Sequence, residues 1–408
     1  MVVAARGMAQ IVMRTPPART ATSACAAAAG WAAAPSLACP LRPRLRRWAA
    51  VCVMGSDGMG SIVSGQSRGP QRVVFLGTPS VAAGVLRALI DAEDVLGAKV
   101  VAAVTSPAKR QGRGKQLTAT PVEIMARERG IPHVLTPASA RDPEFLDAIR
   151  ALNPDVCVTA AYGYVLPKEF LGTPRLGTLN IHPSLLPSWR GAAPVQRTLE
   201  AGDPLTGVSV AYTVYAMDAG PIAAQVEHAP GKDITSGELL EHLFGLGTNA
   251  LIMDVLPRVF SGALTQEAAI PQDDNKATKA KKLSKEEGVL DFASSEAIVL
   301  HNRVRAFAGW PGTIATFDIG GELVIVRVTQ TRTVAPSVES AVREPGSVTL
   351  TKQGVFVACE GGTVLELVTV QPPNKKAVNA SDWMHGMQGK SVRAVTTEPA
   401  AAQSAQPR

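Results

Sequence analysis

Aromatic residues make up only 4% of this 408-residue chain, histidine occurs six times and cysteine five. Cys25, Cys39 and Cys52 fall in the first seventy residues, so the rest holds Cys157 and Cys359 alone, each in an apolar strand-like run. Neither has a second cysteine at CxxC spacing, which argues against a metal or redox pair and leaves two buried thiols of a reducing compartment. With so few histidines and no metal-ligand spacing, no metal is expected. Long apolar runs are missing too. The Ala-rich stretches near the start are broken by Arg, Pro and Trp, so no run reads as long enough to cross a bilayer, and a soluble chain without a membrane partner is expected.

Acidic residues are scarce in one place. Residues 1–70 carry eight Arg, no Lys and a single acid, Asp57, which accounts for the whole formal net charge of +7. The remainder is close to neutral, so contact with a polyanion must come from local basic patches. An Ala/Arg/Ser-rich, acid-poor leader has the composition of an organellar transit peptide, mitochondrial or plastid. A secretory signal would need one compact apolar core, which "SLACPLRPRLRR" interrupts. The competing reading is a disordered extension or a misassigned start.

From Arg72 onward, strand and helix alternate. "RVVFLGT" ends at Gly77, residues 81–92 have helical spacing, and "KVVAAVTS" reads as a second buried strand. Thr120, Pro121, Glu123 and Gly130 punctuate a helix. Another helix, about 142–152, leads into the strand "DVCVTAAY", and "GTLNIH" follows. Strands alternating with helices predict an α/β, Rossmann-like, mostly parallel sheet covered on both faces, with ligands beyond the carboxyl ends of its strands. "FLGTPS" lacks G-x-G-x-x-G spacing, so a nicotinamide cofactor is not supported. A long amphipathic helix is expected from a Thr235/Glu238 capping box to about Phe260. A polar, Lys-rich segment over 271–287 reads as a solvated linker, with tRNA contact by its Lys276–Lys285 run as the second reading. After one more helix, about 295–307, five strand-like runs separated by Gly turns predict a small closed barrel of the OB type.

The most unusual stretch is "NIHPSLLPSWRGAAPVQR". Asn180 and His182 are two apart on a strand and so project from one face, at the ligand-binding edge. A second strand end offers Asp218. An amide, an imidazole and a carboxylate suit acyl transfer to nitrogen: Asn180 donates to the oxyanion, His182 donates or moves a proton, and Asp218 favours the protonated ring and holds its orientation. No Ser or Cys is placed as a nucleophile, so direct transfer is the simpler mechanism.

From about Arg72 to about Arg393 the chain resembles the methionyl-tRNA formyltransferases. The resemblance rests on Asn180 and His182 in an Asn-x-His strand, on Ser184-Leu185-Leu186-Pro187 as the family's folate loop, and on Asp218 with Gly220 in an Asp-x-Gly turn. It implies 10-formyltetrahydrofolate as co-substrate, held by Ser184, Leu185, Leu186 and Pro187. "KRQGRGKQLTATPVEIMA" is similar to the loop that enters the tRNA acceptor stem, which implies Arg113, with Lys109, Arg110 and Lys115, as tRNA-binding residues. Those four cations fall in a run with no acid between Asp94 and Glu123, and neutralising several phosphates would make binding salt-dependent. "KLSKEEGVLDF" resembles the family's interdomain linker. The sequence departs from the family at Ala108-Lys109, Lys279 and Phe292.

The layout implied is a leader over 1–70, a catalytic domain over 71–262, a linker over 263–287, an OB-like tRNA-binding domain over 288–395 and a disordered tail over 396–408. A monomer acting on initiator methionyl-tRNA in an organelle is the expectation. The alternatives are formyltetrahydrofolate hydrolysis, formylation of a small amine, or an RNA-binding protein with a retired catalytic domain.

Overall fold

A computed structural model describes residues 69–111, 116–334, 344–387 and 389–396. The leader through residue 68, the loop residues Arg113 and Lys115, and the tail beyond 396 lie outside the described residues.

β1 (Gln71–Gly77), β2 (Ala98–Val104) and, beyond a hairpin of β3 (Lys109–Gln111) and β4 (Gln116–Thr118), β5 (His133–Leu135), β6 (Val156–Ala160) and β7 (Thr178–His182) supply the first strands. β8 (Arg190–Gly191) is short, and β9 (Thr206–Tyr212) and β10 (Ile222–His228) complete a seven-stranded sheet of order β10-β9-β7-β6-β1-β2-β5. The five strands from β7 to β5 are parallel, and β9 and β10 are joined antiparallel at one edge. A parallel sheet is covered on both faces, which is why β1 reads as an unbroken apolar run. Val73 and Phe75 belong to the core on one side and Val74 and Leu76 to the core on the other.

The helix Ser236–Ala250 begins at the expected reciprocal capping box of Thr235 and Glu238 and continues through a π turn, Leu251–Val255, to Phe260. The π turn ends two residues before Pro257, whose missing N–H and bulky ring open the regular hydrogen-bond ladder. Over Ser236–Phe260 this helix is long and apolar enough, by length and composition, to cross a membrane, which corrects the reading that no run is. Its apolar side is spent on the sheet: Leu239, Leu243, Leu251, Val255 and Val259 are buried in the main core. Gly247 brings it close, since a Cβ there would lie 2.7 Å from Ile181 and from Val208. Thr120 and Glu123 have the spacing of a second capping box; Thr120 caps as expected, but the Glu123 side chain turns to Arg127 instead of back to the cap.

After β11 (Lys279–Ala280) the second sheet is antiparallel. It contains β12 (Thr313–Ile319), β13 (Glu322–Thr333), β14 (Val348–Leu350), β15 (Val355–Ala358), β16 (Val364–Gln371), β17 (Val378–Asn379) and β18 (Val392–Val395), in the order β14-β15-β16-β13-β12-β18 with β17 on β16. The five expected strands are present; β17 and β18 are additional and too short to read from their pattern. β18 matters most, because its Arg393 bridges Ser347 next to β14 and the sheet nearly closes into a barrel. Phe317 and Trp383 meet edge to face at 5.1 Å in its core. The helix Ala297–Ala306 packs on β13 and β16 and also against the helix Pro194–Ala201 of the first sheet.

Candidate active site

The topology puts a crevice where expected. Successive parallel strands run to one side of β1 through β2 and β5 and to the other through β6 and β7, so the connections diverge between β1 and β6. Asn180 and His182 stand at the carboxyl end of β7, with Asn180 level with Thr159 on β6 and His182 level with Ser209 on β9. Thr159 donates its hydroxyl to Asn180 Oδ1 at 2.8 Å, which leaves the amide nitrogen of Asn180 to donate elsewhere.

His182 is buried, 4% exposed. Its Nε2 lies 3.0 Å from the carbonyl of Trp189, and its Nδ1 lies 3.7 Å from Asp218 Oδ1. A carbonyl can only accept, so Nε2 carries the hydrogen, and Nδ1 is the ring atom left to take up a proton beside a carboxylate. The second carboxylate oxygen of Asp218 accepts from the Gly191 amide at 2.9 Å. Both residues facing the ring adopt left-handed backbone, Trp189 at φ 61 and Asp218 at φ 50. For non-glycine residues this costs on the order of 1–3 kcal/mol each and persists only where the surroundings hold it.

The loop Ser184–Pro187 folds tightly over the end of β9. Ser184 is fully buried and its hydroxyl donates to the Ser188 carbonyl, while Ser209 donates to the Ser184 carbonyl and accepts from the Leu186 amide. Gln225 on β10 caps the Leu186 carbonyl at 2.9 Å. The Leu186–Pro187 peptide is cis, and Leu186 is buried with Ala211 and Ile222. Leu185 and Pro187 are half-buried and remain partly open to a ligand.

Sequence reasoning missed a third wall. The segment read as a solvated linker crosses this site, with β11 pairing parallel to β8. Gln272 donates to the carbonyls of Asp218 and Gly220 at 2.9 and 2.6 Å and accepts from Arg190 Nε at 3.0 Å. Thr278 Oγ1 accepts from the Trp189 amide at 2.8 Å. Its lysines, Lys276, Lys279, Lys281, Lys282 and Lys285, are exposed as expected. The only legible signal was their interruption by the small and apolar residues Ala277, Ala280 and Leu283, of which Ala280 and Leu283 are buried.

Lys109 and Arg110 lie exposed on the β3–β4 hairpin, which leaves the carboxyl end of β2 and therefore opens on the same edge as His182. Cys157 and Cys359 are buried free thiols far from this chemistry in kind: burial pushes Cys359 up to about 12 and Cys157 well above the ordinary thiol range. Among the described residues, no group of three or more His, Cys, Asp or Glu side chains is placed to hold a metal ion.

Residues 71–255 match the formyl transferase family and residues 282–388 match the formyl transferase C-terminal domain. A methionyl-tRNA formyltransferase from Methylococcus capsulatus is 39% identical over 321 residues, covering 78% of this chain and 98% of that protein. The chain belongs to the methionyl-tRNA formyltransferase family. The relative of the same description from Myxococcus xanthus is 39% identical over 316 residues, 77% of this chain and 95% of its own. Among solved structures, an N-formyltransferase from Helicobacter canadensis in complex with folinic acid and dTDP-3-aminofucose is similar in fold, with a TM-score of 0.54 at 12% identity over 74% of this chain and 99% of that one. Both matched domains fall within the span, about 72 to 393, over which the sequence alone resembles the family.

Proposed function

We propose that this chain transfers the formyl group of 10-formyltetrahydrofolate to the amino group of methionine esterified to initiator tRNA. The observation that carries the reading is the convergence of Asn180, His182 and Asp218 on one strand-end crevice, in a chain whose relatives are methionyl-tRNA formyltransferases. The half-buried Leu185 and Pro187 beside His182 support the folate as formyl donor, and Lys109 and Arg110 on the same edge support tRNA as acceptor.

In this reaction the amine nitrogen forms a bond to the formyl carbon and the carbonyl oxygen becomes an oxyanion, which the free amide of Asn180 stabilises by donation. The proton released by the attacking nitrogen goes to Nδ1 of His182, and Asp218 stabilises the imidazolium that results. Breaking the bond to the folate nitrogen then gives the N-formyl product, with the proton returned to the leaving nitrogen. Burial of His182 keeps water from the ring while this happens.

The test supplies 10-formyltetrahydrofolate with methionyl-tRNA, a small amine or water alone. Formylmethionyl-tRNA is the expected product; formyl release without it rejects the reading and favours a hydrolase. Arg113→Leu is expected to raise KM for the tRNA and leave folate binding unchanged, whereas unaltered tRNA kinetics would show the loop to be surface only. The acid-poor, Arg-rich leader supports an organellar enzyme. Residues 1–70 fused to a fluorescent protein are expected to label mitochondria or plastids, and a diffuse cytosolic signal rejects that assignment.

A further inference from the structure

We infer that the interdomain segment Gln272–Ala280 sets the catalytic ring of His182, with Gln272 and Thr278 as positioning residues. His182 has one neighbour at each ring nitrogen, the Trp189 carbonyl at Nε2 and the Asp218 carboxylate at Nδ1. Each neighbour is a non-glycine residue in left-handed backbone, which persists only where its surroundings hold it; outside the segment, the Trp189 indole donates to Asp203 at 2.7 Å. Each is tied to the same segment, from opposite ends. Gln272 grips the Asp218 turn through two carbonyls, 218 and 220. Thr278 holds Trp189 through the amide of that residue, and its own backbone accepts from Arg190 at 2.9 Å and donates to Pro187 at 3.3 Å.

Three further features keep the segment in register. Arg190 spans it, donating to Gln272 Oε1 and to Asp274. Ala192 donates to the Ala280 carbonyl at 2.9 Å. Gly191, at φ 132, allows that approach, because a Cβ there would come within 2.5 Å of the same carbonyl. Gly191 also supplies the amide bound by Asp218 Oδ2, so the β8–β11 pairing and the carboxylate share one residue. The segment that joins the sheet domain to the barrel therefore binds both polar partners of the ring. Displacement of a catalytic group by about 1 Å can cost on the order of 10²-fold in rate, so a few hydrogen bonds here carry kinetic weight.

The inference draws on the proposed formyl transfer for its kinetic readout only. In the full-length chain, Gln272→Glu keeps the size and the Arg190 partner but sets an acceptor against two carbonyls; Thr278→Val keeps the shape and loses the acceptor; Thr278→Ser keeps it. The first two are expected to lower kcat at least about tenfold while KM for both substrates stays within about twofold, and Thr278→Ser is expected to restore the wild-type rate. Nitrogen-15 resonances of the His182 ring, recorded without substrates, are expected to report hydrogen on Nε2 in the wild type and a shift toward averaging in the two impaired variants. Unchanged ring resonances and kcat in Gln272→Glu and Thr278→Val would overturn the proposal. So would a loss in Thr278→Ser equal to that in Thr278→Val. Should the wild type form no formylmethionyl-tRNA, the proposed function fails and the ring resonances still decide this inference.

Discussion

β7 and the interdomain segment reach the same imidazole by different means. β7 is laddered on both sides, to β6 and β9, and four of its five residues are buried. The segment from Gln272 to Ala280 has two residues of strand pairing, is exposed along most of its length, and holds its place through side chains. Ladder bonds in a buried sheet form and break together, so the position of His182 on β7 is secured by the stability of the whole domain. The segment's hold can be lost locally at little cost to the fold. Its variants are therefore expected to separate rate from stability, and variants on the sheet are expected to hit chemistry at the strand end or stability beneath it.

The sharpest contrast comes from His182→Ala. Turnover should fall by roughly 10²–10⁴, the usual weight of positioned acid–base catalysis, while the protein stays folded. Near-normal turnover would falsify the assigned role. Next in size is Gly247→Ala, under the same strand but away from the chemistry. The added methyl must displace Ile181 and Val208, at an expected cost of about 1–3 kcal/mol measured by denaturant unfolding. An unchanged midpoint would mean that the helix and β7 can separate freely.

The smallest effect concerns the chain just beyond the segment and depends on pH. The Arg197 guanidinium, with the Ser284 amide, holds the Glu287 carboxyl below the usual carboxylate range, against a smaller opposing effect of burial. A carboxyl depressed in the folded state stabilises it fully above the unfolded value, about 4.3, and that stabilisation is lost as pH falls through the lower folded value. Protection against amide exchange, relative to the intrinsic rate at each pH, should therefore fall over residues 272–288 below about pH 4 before it falls on β7, and Glu287→Gln should abolish the difference. Simultaneous exposure of both regions would erase the distinction drawn between them.

Much of the fold is legible because its signals are local. Apolar runs of strand length between capped helices predict the covered parallel sheet, and Thr235 with Glu238 start the long helix as expected. Asn180 and His182 stand out because two polar residues at period two end an apolar strand. Asp218 is less obvious; nothing in its neighbourhood says that a turn at φ 50 will bring it 3.7 Å from His182. Gln272 and Thr278 are harder still, since their roles depend on a carbonyl and an amide more than fifty residues away. β18 escapes for a similar reason: four residues carry too few periods to declare a strand, and only pairing with β12 makes them one.

By itself, then, the sequence determined the strand that presents Asn180 and His182 at the candidate site and the helices around it, because periodicity and caps act over a few residues. Tertiary structure decided how the centre is held. The left-handed turns at Trp189 and Asp218 are bound by the side chains of Thr278 and Gln272, and the backbone groups those side chains meet leave no mark on the residue types that carry them.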